Sequence, residues 1–224
     1  MAENHESAGM NNAHIRRFIG TPEAVILADG DYPQHPLPLH YLDSVPVIAC
    51  CDGAANAHIA KGRRPSLIIG DGDSVLPEHR AAYADILYIE REQESNDLSK
   101  AVALLVSRNI RNILILGATG KREDHTLANI SLLMNYHRRQ IRTLMLTDYG
   151  LFAPFSNIAR WQSPVGSRVS VFNFGAKNLV SRGLEYPLYD LEEWWQGTLN
   201  TTSAPEAEVS ADGDFLLYFA LGGR

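Results

Sequence analysis

Short apolar segments alternate with helix-like segments through the first 150 residues, and this alternation constrains the fold more than any other feature. The predicted strands are Ala24–Gly30, Val45–Gly53, Ser66–Ser74, Ile86–Glu90, Asn112–Gly120 and Ile141–Gly150. Continuous apolar strands separated by helices are typical of a mainly parallel sheet with helices on both faces. The pattern therefore predicts an α/β domain over residues 21–150.

Two of the intervening helices are well marked. The first follows a cap at Asn96 or Asp97, and its predicted apolar face consists of Leu98, Ala101, Val102 and Leu105. The second runs from about Glu123 to Arg139, and its predicted core face consists of Leu127, Ile130 and Met134. Helices of this length between parallel strands indicate a Rossmann-like arrangement.

The pattern changes after Gly150. Helical periodicity fades, and segments rich in β-branched and aromatic residues appear, namely SRVSVFNFG, LEYPLYDL and DFLLYFAL. Glycine and proline residues separate these segments, as they do in antiparallel sheets. We predict a small antiparallel β domain over residues 151–224, and a weakly ordered segment over the polar residues 1–20.

Composition excludes several classes of function. The net charge is -6 and the pI about 5.7, whereas nucleic-acid-binding domains usually present a basic face. No apolar run approaches the roughly 20 residues that a membrane helix needs, and the N-terminal residues lack a secretory signal. Cys50 and Cys51 are the only cysteines and are expected to be buried thiols. We expect a cytoplasmic protein that binds neither nucleic acid nor membranes.

Four polar loops fall at or near the ends of predicted strands. They are CDGAAN from Cys51, GDGDS from Gly70, QESND from Gln93 and GATGKREDH from Gly117. Because the carboxyl ends of parallel strands meet at one edge of a sheet, where ligands bind, we expect these loops to form one site. Its mixture of Asp, Gly, Lys and Arg suits magnesium and a polyphosphate.

The GDGDS loop is the most informative of the four. Asp71 and Asp73 are close enough to repel each other, and a hard divalent cation relieves this repulsion. Magnesium prefers a few carboxylates together with phosphate oxygens. Asp97 and Lys100 share one face at a helix start, where Asp97 is placed to share the metal and Lys100 to contact a phosphate. The alternative interpretations are a polar turn that caps a helix and a surface ion pair.

The GATGKREDH loop is expected to approach a phosphate through its backbone. Gly117 and Gly120 precede a helix N-terminus, which favours anions. The loop is not a Walker A loop, which has four residues between its glycines and a Lys-Ser/Thr pair. Arg122 is expected to form a fork on phosphate oxygens, whereas His125 is either a catalyst or a structural hydrogen-bonding group. The Asp52 and Gly53 pair suits a nucleotide, although a strand-to-helix cap explains it equally well.

Small hydroxyl side chains cluster in the β domain within GTLNTTSA, residues 197–204, beside Trp194 and Trp195. Hydroxyl groups together with aromatic rings can hold a polar heteroaromatic ring. The alternative is a surface turn over a core that contains the tryptophans.

Taken together, the motifs CDGAAN, GDGDS, QESND, GATGKREDH, RGLEYPL and GTLNTTS resemble the thiamine pyrophosphokinase (thiamine diphosphokinase) family over about residues 24–220. The resemblance implies an α/β domain for ATP and magnesium, a β-sandwich domain that helps to bind thiamine, and a homodimer with sites between subunits. It implies transfer of pyrophosphate from ATP to the thiamine hydroxyl, with release of AMP. The alternatives are an α/β phosphotransferase or nucleotide hydrolase with another acceptor, and a non-catalytic thiamine or nucleotide sensor.

The resemblance also implies roles for individual residues. The metal-binding acids would be Asp71, Asp73 and Asp97, and the catalytic set would add Lys100, Arg122 and Asp124. The ATP-binding residues would be Asp52, Gly53, Asn56, Asp71, Ser74, Lys100, Gly117, Thr119, Gly120 and Arg122. The thiamine-binding residues would be Gln93, Asp124, His125, Tyr186, Thr201, Thr202 and Ser203. The chain departs from the usual family pattern at Glu94, Asn96, Tyr186 and Ala204.

Overall fold

The structure is a computed structural model that describes residues 9–92 and 94–222. These residues form two compact units. Residues 21–148 make up one, the parallel unit, and residues 149–222 together with residues 9–20 make up the other, the antiparallel unit. The fold is α/β, as predicted, but its strands pair in both directions, so the sheet is mixed. No helix among the described residues is long and apolar enough to cross a membrane.

Six strands form the sheet of the parallel unit. They are β1 (Ala24–Leu27), β2 (Ile48–Cys51), β3 (Leu67–Gly70), β4 (Leu87–Ile89), β5 (Asn112–Leu116) and β6 (Arg142–Leu146). Their order is β6-β5-β1-β2-β3-β4, and each neighbouring pair is parallel. Every residue of β1, β2 and β3 is buried, which explains why these strands are continuous apolar runs.

The observed strands are shorter than the predicted ones because the polar residues after them form turns. The third strand, for example, ends at Gly70 rather than at Ser74. The backbone N–H of Asp73 donates to Oδ1 of Asp71 at 3.0 Å, and such a side-chain bond replaces the sheet ladder with a turn. The acidic residues therefore lie just beyond the strands.

The described residues of this unit form the α-helices α2 (Pro36–Ser44), α3 (Ala54–Ala60), α4 (Pro77–Ala82), α5 (Asp97–Ser107) and α6 (Glu123–Arg138). Helix α1 (Asn12–Ile19) belongs to the antiparallel unit. The predicted apolar face of α5 is confirmed, since Leu98, Ala101, Val102 and Leu105 are all buried.

The predicted face of α6 is partly wrong. Leu127 is 58% exposed, whereas Asn129 and Tyr136 are buried. The Tyr136 hydroxyl lies 3.0 Å from Oγ of Ser99 on α5, and the Asn129 amide donates to the carbonyl of Ala118. Because buried polar groups need partners, these two bonds orient the helix and leave Leu127 outside the core.

The antiparallel unit contains the remaining strands: β7 (Gly150–Gln162), β8 (Arg168–Asn173), β9 (Lys177–Arg182), β10 (Asn200–Thr201) and β11 (Glu206–Ala220). The long strand β11 pairs with β7 along most of its length. It also pairs with β9 before a bulge at Ser210–Asp214 and with β8 after it. The antiparallel character that the sequence predicts is therefore observed.

The predicted strand in LEYPLYDL is wrong. The N–H of Tyr186 donates to Oδ1 of Asn200 at 3.1 Å, and the N–H of Leu188 donates to Oγ of Ser181 at 3.0 Å. The start of the segment still meets a strand, since the N–H of Glu185 donates to the carbonyl of Thr201 in β10 at 2.8 Å. Beyond Glu185, side chains satisfy the N–H groups of Tyr186 and Leu188, as happens in irregular loops.

The predicted weak order of residues 1–20 is wrong for residues 9–20. Helix α1 (Asn12–Ile19) has Asn11 as its cap and buries Ile15 and Ile19. The Phe18 ring lies against Phe155 and Phe219, with ring centroids 6.0 and 5.2 Å away. The polar composition hides this apolar stripe, which packs on β7 and β11. Residues 1–8 lie outside the described residues.

Candidate active site

The loops at the carboxyl edge of the parallel unit surround one cavity of about 450 Å³. Residues after β1, β3 and β5 line it, together with Cys51 at the end of β2 and the start of α5. The predicted site residues on its wall are Asp71, Ser74, Asp97, Lys100, Gly120, Arg122 and His125. Residues of all four polar loops therefore line one cavity of this unit.

Asp52 lies beside this wall and is buried, with only 4% of its surface exposed. Its Oδ2 atom accepts a hydrogen bond from the N–H of Ser74 at 3.0 Å, whereas Oδ1 has no hydrogen-bond partner. Burial raises the pKa of Asp52, and the negative charges of Asp71 and Asp73 raise it further, although the bonds from Ser74 oppose this. Asp52 therefore stands next to the GDGDS acids.

Asn56 holds the same loop from the other side. Its Nδ2 atom donates to the carbonyl of Ser74 at 2.7 Å, and its Oδ1 atom accepts from the N–H of Leu76 at 3.0 Å. The polar atoms of Asn56 are therefore engaged with the protein backbone. If Asn56 contributes to ATP binding, as predicted, it would do so by holding the loop that carries Ser74.

Two glycines allow the loops to approach so closely. A Cβ atom at Gly70 would lie 2.7 Å from Cβ of Asp52, which is closer than real contacts permit. Gly72 has φ +82°, a conformation that residues with side chains rarely adopt. Both glycines of GDGDS are thus required by the geometry around Asp71 and Asp73.

Asp97 and Lys100 lie together at the start of α5. The Asn96 side chain caps this helix by accepting from the N–H of Ser99 at 2.9 Å. Nζ of Lys100, which is buried, lies 3.6 Å from Oδ1 of Asp97. Burial raises the pKa of Asp97 and Lys100 lowers it, while the charges of Asp52 and Asp71 raise it again.

The glycine turn of GATGKREDH leads directly into the N-terminus of α6. Gly117 and Gly120 have φ +62° and +82°, and α6 begins three residues after the second of them. Arg122 forms a two-pronged contact with Asp124, with atoms 3.1 and 2.6 Å apart, and lowers the pKa of that carboxyl. Both side chains are exposed, so water screens the pair and a phosphate can compete for the guanidinium.

Asp29 and Lys121 also line the cavity, although no motif of the sequence predicts a role for them. Nζ of Lys121 lies 2.8 Å from Oδ1 of Asp29. A signal was present: Asp29-Gly30-Asp31 after β1 repeats the Asp-Gly-Asp spacing that follows β3. The same position at the end of a parallel strand places both acidic pairs at one edge.

The residues at this edge fit a hard divalent cation. Among the described residues, no three His, Cys, Asp or Glu side chains are already arranged around a common metal position. However, Oδ1 of Asp52 is buried without a partner, and nearby carboxylates raise the pKa of both Asp52 and Asp97. A cation would relieve both unfavourable features, because it offsets the repulsion between the carboxylates.

The predicted thiamine-binding residues of the antiparallel unit differ in how far their side chains are exposed to solvent. Thr202 is buried, and its hydroxyl donates to the carbonyl of Pro164 at 2.8 Å. Ser203, Tyr186 and Trp195 are exposed, Tyr186 by 63% and Trp195 by 72%, so the interpretation of Trp195 as a core residue is wrong. Gln93 lies outside the described residues.

Comparison with known proteins identifies the family. Residues 39–145 match the family profile described as "Thiamin pyrophosphokinase, catalytic domain", and residues 150–218 match the "Thiamin pyrophosphokinase, substrate-binding domain". The chain belongs to the thiamine pyrophosphokinase family. The two matched ranges fall within the parallel and the antiparallel unit, respectively.

Individual members of the family resemble the chain in sequence and in fold. It is 31% identical to thiamine pyrophosphokinase 1 of Oryza sativa subsp. japonica, over 77% of this chain and 78% of that protein. The crystal structure of the Bacillus subtilis thiamine pyrophosphokinase aligns with a TM-score of 0.74 at 20% identity, over 88% of this chain and 99% of that one. The yeast enzyme also gives 0.74, at 16% identity, over 98% and 93%.

The burial of Asp52 leads to a prediction about stability. Because its pKa is raised in the folded state, its ionised form destabilises the metal-free protein at neutral pH. Asp52→Asn should therefore raise the melting temperature of metal-free protein at pH 7 by roughly 2–4 °C, the shift that about 1 kcal/mol produces in a chain of this size. The advantage should shrink as the pH falls toward 3.8, the ordinary value, since wild-type Asp52 then gains a proton.

Thermal unfolding of both proteins between pH 4 and 7, with and without Mg²⁺, measures this difference. We expect Mg²⁺ to raise the melting temperature of the wild type more than that of Asp52→Asn. A variant that is less stable than the wild type in metal-free buffer at pH 7 would contradict the argument.

Proposed function

We propose that the chain transfers the pyrophosphoryl group of ATP to the hydroxyl of thiamine, which yields thiamine diphosphate and AMP. The observation that carries this proposal is the set of Asp52, Asp71, Asp97 and Lys100 at one edge of a parallel sheet, in a chain that matches both domains of the family. In this reaction the thiamine oxygen forms a bond to the β-phosphorus, and the bond from that phosphorus to the oxygen of AMP breaks.

The cation in this proposal is Mg²⁺, held by Asp71, Asp73 and Asp97. When bound, it would neutralise part of the charge on the phosphates. The unpartnered oxygen of Asp52 and the raised pKa of Asp97 support a cation here, and the acid and phosphate oxygens are the ligands that Mg²⁺ prefers.

Lys100 and Arg122 are proposed to stabilise the charge that moves onto the leaving AMP and the pyrophosphoryl group. The protein has little covalent work to do in such reactions, and it must chiefly position the reactants and offset charge. Lys100 is held in place by burial beside Asp97, whereas Arg122 must leave Asp124 to reach a phosphate. Asp124, once released, or Asp71 is then free to accept the hydroxyl proton of thiamine.

The remaining polar residues divide between nucleotide and acceptor. We propose that ATP is bound at Gly53, Ser74, Gly117, Thr119 and Gly120, with Asp52 and Asn56 supporting the loop that carries Ser74. The proposed thiamine contacts are Gln93, Asp124, His125, Tyr186, Thr201, Thr202 and Ser203. Tyr186 is supported by its exposure and by two hydrogen bonds that hold its backbone to Asn200.

The wider organisation in this proposal follows the family resemblance. The parallel unit would be the Rossmann-like domain for ATP and Mg²⁺, and the antiparallel unit would be a β-sandwich that receives thiamine. A homodimer with sites between subunits is supported by exposed Ile158 and Val180, which are both cross-strand neighbours of Ser210 on an open sheet face. A cytoplasmic location is supported by the two buried, unpaired cysteines.

The deciding experiment incubates purified protein with ATP, Mg²⁺ and thiamine and identifies the products. Attack on the β-phosphorus gives AMP and thiamine diphosphate in equal amounts. Release of ADP would instead indicate transfer of the γ-phosphate to another acceptor, and consumption of ATP without thiamine would indicate a nucleotide hydrolase. Thiamine binding in calorimetry without turnover would indicate a sensor.

A further inference from the structure

One buried polar side chain of α6 connects two loops of the active site. Asn129 is only 8% exposed. Its Nδ2 atom donates to the carbonyl of Ala118 at 2.9 Å, and its Oδ1 atom accepts from Nδ2 of Asn96 at 3.1 Å. Both ends of this one amide are therefore occupied by partners that lie 11 and 33 residues away in the sequence.

Each partner belongs to a segment that carries proposed catalytic groups. Asn96 caps α5 and directly precedes Asp97. Ala118 lies in the glycine turn that leads to Lys121 and Arg122. The position of Asn129 therefore fixes the distance between the acid at the start of α5 and the cations at the start of α6.

A second hydrogen bond joins α5 and α6 at another point. The hydroxyls of Ser99 on α5 and Tyr136 on α6 lie 3.0 Å apart, about two helical turns along α6 from Asn129. Two separated bonds between the helices restrain rotation as well as distance. Asp97 lies between the capping residue Asn96 and Ser99, so both bonds restrain its backbone at the start of α5.

The amide of Asn129 supplies both the donor and the acceptor that its two partners need. The carbonyl of Ala118 needs a donor, and the amide group of Asn96 needs an acceptor. Aspartate would place a carboxylate against the Ala118 carbonyl, and alanine would leave two polar groups without partners. The Asn side chain at this position thus serves the site rather than the apolar packing of the helix.

We infer that Asn129, through Asn96, is a positioning residue that holds Asp97 in place for the divalent cation and the glycine turn in place for the phosphates. This inference rests on the proposed function, because it assigns a purpose to Asp97. Asn129 and Asn96 both line the cavity. Because Ala118 and Asn96 already engage both polar atoms of the Asn129 amide, we assign Asn129 no direct contact with ATP, metal or thiamine.

The test measures Mg²⁺ binding by calorimetry in wild type, Asn96→Ser, Asn129→Ala and the double variant. Serine retains the helix cap but loses the amide that reaches Asn129. We expect each single change to weaken Mg²⁺ binding about 3- to 10-fold. The double change should weaken it no further than Asn129→Ala alone, because that variant has already lost the bond between Asn96 and Asn129. The KM for ATP should rise in parallel in steady-state assays of AMP release.

Asn135→Ala is the matched control, because Asn135 is an exposed asparagine on the same helix. It should leave Mg²⁺ binding unchanged. If Asn96→Ser and Asn129→Ala lower only the melting temperature and keep the Mg²⁺ affinity and kinetic constants of the wild type, their role is structural and the inference is overturned. Additive losses in the double variant would overturn it as well.

Asp97→Asn separates this failure from a failure of the proposed function. If Asp97→Asn binds Mg²⁺ as the wild type does, the proposed metal site is wrong and the inference falls with it. If Asp97→Asn binds poorly while Asn96→Ser and Asn129→Ala bind normally, the metal site stands and only the positioning role is wrong.

Discussion

Asp73→Asn should reduce the rate of AMP release from ATP and thiamine about 10³-fold and leave the fold intact. Removal of a group that holds a cation against transferring phosphates costs several kcal/mol of transition-state stabilisation, and each 1.36 kcal/mol is tenfold in rate. Asp73 is exposed, and among the described residues its carboxylate accepts no hydrogen bond, so the loop does not depend on it. Steady-state assays of AMP, together with thermal unfolding, measure both parts of the prediction.

Asp85→Asn is the matched control for this variant. Asp85 is an exposed acid of the same unit, 3.8 Å from Arg64 and outside the GDGDS loop, so its loss should leave the rate unchanged. Retention of most of the activity by Asp73→Asn would show that the metal assignment is wrong. A large fall in its melting temperature would show that Asp73 supports the loop rather than the reaction.

Lys100→Met should lower kcat by about 10²- to 10³-fold, since one positioned cation is worth about that much or more in phosphoryl transfer. Methionine preserves most of the volume of this buried side chain and removes only its charge. The pKa of Asp97 should rise further, because Lys100 at 3.6 Å is the partner that lowers it. The acid limb of the pH–rate profile should therefore move to higher pH.

Two further variants sharpen this second prediction. Lys177→Met removes an exposed lysine of the antiparallel unit and should have no effect on kcat. Lys100→Arg keeps the charge but changes its geometry, and it should retain more activity than Lys100→Met. If Lys100→Met keeps more than a tenth of the wild-type kcat with an unshifted pH profile, Lys100 does not stabilise the transferred charge.

The positions of the strands and of the acidic loops follow from patterns that are local in the sequence. The β-branched runs before Asp52, Asp71 and Gly117 predict buried strands, and the glycines after them predict turns. The helix after Asn96 was predicted with the correct buried face for the same reason, since its apolar residues recur every three to four positions. These patterns also carried the resemblance to the thiamine pyrophosphokinase family, which the comparisons then showed.

Predictions failed where a long-range partner decided the outcome. The face of α6 was misread because a polar residue, Asn129, points inward to meet Ala118 and Asn96. The sequence does not predict helix α1 because its apolar stripe is short. The stripe is stabilised by packing on distant residues, as the contacts of Phe18 with Phe155 and Phe219 show. The LEYPLYDL segment has strand-like composition, but beyond Glu185 the side chains of Asn200 and Ser181 accept from its backbone N–H groups.

By itself, the sequence determined which residue types stand at the ends of the parallel strands, because strand and helix periods are properties of neighbouring residues. The tertiary structure alone decided how these residues are used. Asp52 meets Ser74 across 22 residues, and Lys121 meets Asp29 across 92. Burial raises the pKa of Asp52 and Asp97. The local sequence pattern does not predict that these two carboxylates are buried. The sequence predicts the elements but not these contacts, because charge repulsion and hydrogen bonding join residues that are distant in the chain. Helix and strand periodicity depends only on neighbouring residues.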